Sequence, residues 1–176
     1  MLIEETVTYL EMTAAEQLRP GRLPPAPVEM VKLDQAAASV LRRTYAQIAV
    51  PLNWQSRRAW SDAQWHQHLA RPQVHAWVAR VGEEVAGMVE LEAQGGGEVE
   101  LVVFGLVPAF VGRAFGAHLL TVGTRLAWEL EPLDGVRVRR VWLHTSSRDH
   151  PNAKPNYERR GFRPFRTERR QRDILT

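Results

Sequence analysis

Polar and hydrophobic residues alternate over Thr6–Met12 (TVTYLEM), the period of a strand that buries one face. Pro20, Gly21, Pro24, Pro25 and Pro27 then stiffen a linker. Residues 1–27 therefore read as an N-terminal strand and Pro-rich linker, with one folded domain over 28–176. A lone strand cannot satisfy its own backbone, so Thr6–Met12 is expected to add to a sheet edge, in this chain or in a neighbouring subunit. The second case would make a homodimer. Val28–Leu33 is a short strand, and Asp34 follows as a helix cap. Val40, Leu41, Tyr45 and Ile48 lie at helical spacing and stop before Pro51. Ser61 and Gln64 have capping-box spacing ahead of Trp65 and Leu69, and Pro72 closes that second helix.

The centre is strand-rich. Val74–Val81, a turn at Gly82–Glu84, Val85–Leu91, a flexible Gln94–Gly97 and Glu98–Val107 predict an antiparallel meander. Gly116 opens a helix with Leu119, Leu120, Gly123, Leu126, Ala127 and Leu130 on one face, ended by Pro132. The strand Arg139–His144 follows, and a strand–helix–strand crossover makes it parallel to Glu98–Val107. Asn152 is placed to cap a short helix, with Pro155 in its first turn and Gly161 as its left-handed terminator. Phe162–Arg166 and Thr167–Ile174 read as two closing strands. The class is α+β: a mixed, mostly antiparallel sheet flanked by helices.

Composition narrows the function. A chain of 176 residues supports a single core, and 44% hydrophobic with 24% charged residues is ordinary globular usage. The absence of cysteine removes disulfides, thiol nucleophiles and thiolate metal sites. Glu4 and Glu5 disfavour a signal peptide. The longest nearly uncharged stretch, Leu101–Gly112, is shorter than the roughly 20 residues of a membrane helix. No membrane partner is expected, and the location is expected to be cytoplasmic. Net charge is +3, with arginines crowded near the C-terminal end. Glu158, Glu168 and Asp173 interrupt them, which fits a solvated strand face or attraction of an anionic ligand better than a nucleic-acid footprint. His66 and His68 lie two apart in a helix and cannot converge with His75, so no metal site is expected. Trp54, Trp60 and Trp65 read first as core packing and second as the wall of an acceptor pocket.

Two motifs carry chemistry. Leu106-Val107-Pro108-Ala109-Phe110-Val111-Gly112-Arg113-Ala114-Phe115-Gly116 runs from a strand through small residues into a helix start. Free amides face outward there and the macrodipole adds about half a positive charge, which suits phosphate. Gly112, Ala114 and Gly116 let backbone approach a pyrophosphate, and Arg113 offers a charged contact. The second motif, Asn152-Ala153-Lys154-Pro155-Asn156-Tyr157-Glu158-Arg159-Arg160-Gly161-Phe162, is a short helix ending in Gly-Phe with Tyr157 in its last turn.

In this order, with a strand between them, the motifs resemble the GNAT acetyltransferase superfamily over about residues 28–168. The resemblance implies an acetyl-CoA-dependent N-acetyltransferase. Acetyl-CoA, as co-substrate, would be held by Leu106, Val107, Val111, Gly112, Arg113, Ala114, Phe115, Gly116, Ala117 and Asn152. Tyr157 would sit beside its sulfur and protonate the departing thiolate, while amides near Leu106 and Val107 polarise the carbonyl. The superfamily loop usually reads glutamine or arginine, two residues, glycine, one residue, then glycine or alanine. Counted from Pro108 those places are Val111, Ala114 and Gly116; the first two depart, and Arg113 is expected to supply the charge that Val111 lacks. The asparagine usual seven residues before the tyrosine is His150, with Asn152 nearby as the other candidate for the cofactor contact. Glu100 lies eight residues before Pro108, where the superfamily often places a glutamate base acting through water, and Glu98 on the same strand face is the reserve. The acceptor would be a small-molecule or peptide amine. A catalytically silent acyl-CoA-binding sensor and a basic RNA-binding protein are the alternatives.

Overall fold

The strands assemble into one seven-stranded mixed sheet in a computed structural model that describes residues 1–174. In chain order the elements are β1 (Leu2–Met12), β2 (Glu29–Leu33), α1 (Ala38–Ala49), α2 (Asp62–Leu69), β3 (Val74–Val81), β4 (Glu84–Gly95), β5 (Glu98–Leu106), α3 (Gly116–Trp128), β6 (Arg140–Ser146), α4 (Ala153–Arg159) and β7 (Arg163–Asp173). Across the sheet the order is β2-β3-β4-β5-β6-β1-β7. Among the described residues only β5 and β6 pair parallel, as their helical crossover requires.

Two cores form, one on each face. Leu41, Tyr45, Ile48, Trp65 and Leu69 of α1 and α2 cover Ala76, Val78, Met88 and Val103. Leu119, Leu120, Ala127 and Tyr157 of α3 and α4 cover Val89, Leu91, Leu101, Val141 and Leu143 on the other side. The caps follow local chemistry. The Ser61 hydroxyl accepts from the Gln64 amide at 3.2 Å while the Gln64 side chain accepts from the Ser61 amide at 2.8 Å. Asp34 accepts from the Ala36 amide at 2.9 Å and caps the short 3-10 turn that leads into α1. No described helix is long and apolar enough to cross a membrane.

Four expectations change. The N-terminal strand is interior rather than at an edge or in another subunit: β1 pairs antiparallel with β6 on one side and β7 on the other. Leu10 and Met12 are fully buried on its α3/α4 face, and Glu5 and Val7 are buried on its opposite face. The two closing strands are a single strand, β7, with a register shift opposite Tyr9 and Leu10 where Pro164 has no amide to donate. Gln94 lies within β4, which continues to Gly95, as a bulge between the paired Ala93 and Gly95. Asn152 stands at the start of α4 in a helical conformation and its side chain makes no cap.

The linker crosses the outside of α3 and α4. The Arg19 amide donates to the Arg160 carbonyl at 2.8 Å, and the Gly21 amide donates to the Thr121 hydroxyl at 2.9 Å. Gly161, left-handed at φ 106°, lies under this strap: a Cβ there would stand 2.0 Å from the Gln17 carbonyl oxygen. Both conditions demand glycine.

Candidate active site

β5 and β6 pair only over Glu98–Glu100 and Arg140–Trp142. Beyond Glu100 they part, and the second half of β5 faces a gap. Two amides were expected to be free there. Val107 is not, because it donates to the Ala86 carbonyl of β4's leading edge at 2.9 Å. Peptide directions alternate along a strand, so the amide of Leu106 faces the gap instead.

From Leu106 the chain passes through a 3-10 turn at Pro108–Phe110 and reaches α3. Phe110 and Phe115 are buried and meet edge to face at 5.4 Å, anchoring the loop from below. Gly112 and Ala114 are left-handed, at φ 75° and 67°. Ala114 occupies the place where glycine is usual, and its φ is the physical reason for that usage. The amides of 112–115 have no backbone partner among the described residues. Those of Gly116, Ala117 and His118 head α3, where helix geometry leaves N–H groups free. Ala117 itself packs beneath Gly21 of the linker. Val111 is exposed and apolar. The expected charge beside it is turned inward: the Arg113 guanidinium donates to the Ala109 carbonyl at 3.1 Å and lies 4.6 Å from the centre of the Phe110 ring.

α4 approaches the gap from the α3 side. Tyr157 is buried and meets Phe104 of β5 at 6.1 Å and Phe162 at 6.2 Å, both edge-on. Burial, with a smaller push from the charge of Asp149, raises the pKa of its hydroxyl above the ordinary tyrosine value. The group is therefore a neutral donor throughout the neutral range. Asn156 ties the two helices together, its Nδ2 donating to the Gly116 carbonyl at 3.2 Å. His150 Nδ1 accepts from the Asn152 amide at 3.1 Å, so these two candidates engage each other in the turn before α4.

Glu100 points to the other face, opposite Trp142 at the last paired position before the strands part. Its Oε2 accepts from Gln94 Nε2 at 2.8 Å, and the indole of Trp142 donates to Gln94 Oε1 at 2.9 Å. Trp142 thereby fixes which end of the amide Glu100 meets. Oε1 has no hydrogen-bond partner among the described residues, and His144 Nε2 lies 3.9 Å from it. Burial, joined by the charge of Glu92, raises the Glu100 carboxyl to about 7. Glu98 differs, since Arg140 donates to it at 3.1 Å and holds it as an ion pair. Of the two carboxylates named in the sequence, Glu100 is the one with no arginine or lysine partner among the described residues.

A buried ion pair lies under α1 and α2 on the same face. Arg57 donates to both oxygens of Glu90, at 2.7 and 2.6 Å, and Glu90 is 1% exposed. The rings of Tyr45, Trp60 and Trp65 surround the guanidinium at 4.9 to 5.7 Å. His68 Nε2 is 3.2 Å from Glu90 Oε2. Burial alone would raise the Glu90 carboxyl, but the bonds from Arg57 and His68 outweigh it and hold the group below its ordinary value. Trp60 and Trp65 thus pack around a charge pair instead of lining an open pocket. Trp54 reaches the gap region, its indole donating to Asp149 at 2.8 Å. Sequence reasoning missed Arg57, Glu90, Gln94 and Trp142. Only Glu90 left a signal, a lone charge inside the apolar run Val85–Leu91.

The acetyltransferase (GNAT) family model matches residues 39–162, and the chain belongs to that family. A search of curated proteins finds no match. Among solved structures the chain is similar to a GCN5-related N-acetyltransferase from Kribbella flavida, at 18% identity and a TM-score of 0.64 over 94% of this chain and 57% of that one. A functionally unknown conserved protein from Staphylococcus epidermidis is similar at 17% identity and TM-score 0.61, over 96% of this chain and 61% of that one. The chain thus spans less than two thirds of the length of either. An aminoglycoside acetyltransferase from an uncultured soil metagenomic sample, in complex with sisomicin, shares 10% identity at TM-score 0.54, over 73% of this chain and 82% of that one. Likeness at these identities is likeness of fold.

Proposed function

We propose that this chain is an acetyl-CoA-dependent N-acetyltransferase that moves the acetyl group directly to a primary amine. One observation carries the reading: where β5 and β6 part, Glu100 faces one side of the sheet and Tyr157 approaches from the other. An amine and a thioester entering from opposite faces would meet in that gap. Acetyl-CoA fits the residues present. Free amides from Gly112 to His118 suit its pyrophosphate, and the left-handed turns at Gly112 and Ala114 leave the backbone approachable. Leu106 supplies the amide for the thioester carbonyl.

A primary ammonium of pKa about 10.4 is almost wholly charged at neutral pH, so it must lose a proton before it can attack. Glu100 takes that proton on Oε1, directly or through water. The amine nitrogen bonds to the thioester carbon, the carbon–sulfur bond breaks, and the nitrogen releases its second proton. Tyr157 gives its hydroxyl proton to the thiolate and is reprotonated. The net change is one amide, one thiol and one proton released. Glu100 works as the carboxylate, so the rate is expected to rise with pH through about 7.

Calorimetry with acetyl-CoA tests the first half: binding is expected, and no heat at high micromolar concentration overturns the cofactor reading. Thiol release across an amine library tests the second. Tyr157→Phe is expected to keep acetyl-CoA binding and lower turnover about 100-fold; unchanged turnover sinks the acid assignment. Binding without release for any amine would instead mark an acyl-CoA sensor.

A further inference from the structure

The face of the sheet that holds Glu100 continues over β6, β1 and β7, whereas α1 and α2 pack on β3 and β4. Four rings cluster on that open part. Tyr9 is central, with Trp142 stacked at 6.3 Å, His144 at 5.6 Å and Phe165 at 6.2 Å. Phe165 is 44% exposed, unusual for a phenylalanine on a charged strand. Adjacent strands lie about 4.8 Å apart. Trp142 is the cross-strand partner of Glu100, Tyr9 lies one strand further on and Phe165 one beyond that, so the rings stand about 5, 10 and 14 Å from the carboxylate.

The charges on this face are nearly all matched. Glu98 and Glu11 share Arg140, Glu92 pairs with Arg71, and Glu168 pairs with Arg166 and Arg170. Glu100 alone among them has no arginine or lysine partner among the described residues; its neighbours are Gln94 and His144. Beyond it the guanidiniums of Arg140 and Arg166 stand over Phe165 and Tyr9 at 4.9 and 4.8 Å. One positive charge is complementary at Glu100.

Building on the transferase reading above, we infer that the acceptor is a primary amine joined by a short aliphatic arm to an aromatic ring, with the amine at Glu100 and the ring against Trp142 and Tyr9. Stacking on such rings is worth about 0.5–1.5 kcal/mol beyond area burial, which corresponds to roughly 2- to 12-fold in affinity per good contact.

The test uses the full chain loaded with coenzyme A, which permits acceptor binding without turnover. Tryptamine and propylamine are titrated by calorimetry, and tryptamine, 2-phenylethylamine, propylamine, spermidine and sisomicin are compared by thiol release with acetyl-CoA. Tryptamine is expected to bind at least tenfold tighter than propylamine, and both aryl amines to exceed the other three in kcat/KM. Tyr9→Leu, which removes the second ring, is expected to raise KM for the aryl amines about fivefold, and an unchanged KM for them overturns the inference; Phe165→Ala, about 14 Å from Glu100, should leave all five unchanged. Equal binding of tryptamine and propylamine, or a best rate with spermidine or sisomicin, overturns the inference. Tight tryptamine binding with no thiol release from any amine overturns the transferase reading alone.

Discussion

Replacing Arg57 with methionine removes the charge that holds Glu90 while keeping an apolar stem among Tyr45, Trp60 and Trp65. Arg57 is 8% exposed and Glu90 1%, and both guanidinium bonds are short. Stripping one partner from such a pair costs about 3–5 kcal/mol, because the remaining charge is left without solvent. His68 still reaches Glu90, at 3.2 Å, which puts the expectation near the lower end, about 3 kcal/mol. For a domain of this size 1 kcal/mol is worth about 2–4 °C, so the melting temperature should fall by roughly 6–12 °C.

The sign of the pH dependence sharpens this prediction. In the native protein the Glu90 carboxyl sits below its ordinary value, so its contribution is present above the ordinary carboxylate range and is lost as pH falls through the native value. In Arg57→Met burial wins and the carboxyl moves up. The folded state then binds the proton more tightly than the unfolded chain, and stability is lost as pH rises above about 4.3. Thermal unfolding followed by circular dichroism at pH 5 and pH 8 reads both effects, with the larger deficit expected at pH 8. The double variant Arg57→Met/Glu90→Leu should recover most of the loss, since it removes the stranded charge. A fall of less than 2 °C, an equal deficit at both pH values, or a double variant less stable than the single one would refute the argument.

Two further outcomes follow from backbone and topology. Ala114 pays a left-handed strain of about 1 kcal/mol; Ala114→Gly relieves it but frees the unfolded chain by nearly as much, so urea denaturation should show a change under about 1 kcal/mol. Ala114→Val, with a branched side chain at the same φ, should cost about 1–2 kcal/mol and weaken acetyl-CoA binding, and equal stability of the two variants would mean the turn is not left-handed in solution. Deleting residues 1–12 removes the strand between β6 and β7, and loss of cooperative unfolding is expected by circular dichroism. A truncated chain that melts cooperatively at the native temperature, with unchanged molar mass by light scattering, would show that β1 is dispensable.

What was readable in the chain was local. The helices from Leu41 to Leu69 follow from helical spacing and the caps at Asp34 and Ser61. The parallel pairing of β5 and β6 follows from the handed crossover through α3. The loop from Pro108 to Gly116 and the Tyr157 helix were visible because each is a contiguous segment. Glu100 was reached by counting along one strand from Pro108.

What the sequence could not decide were the pairings between distant segments. The alternation of Thr6–Met12 identified a strand but not its partners, because strand pairing leaves no mark on either strand about which other one it meets. Tyr9 lies against Glu168, 159 residues away. Arg57 gave no sign of Glu90, nor Trp142 of Gln94, since each pair depends on how loop and sheet close in three dimensions. The same closure set Arg113 against Ala109 and Phe110, whereas the motif gave it as a charged contact to the cofactor. The sequence by itself determined most of the elements, the family and the strand-to-helix loop at Val111–Gly116, whose physics operates within a few residues. Tertiary structure alone decided which carboxylate remains unpaired, where the rings gather around Tyr9, and that the N-terminal strand completes the sheet, because burial and charge pairing exist only once distant segments are in contact.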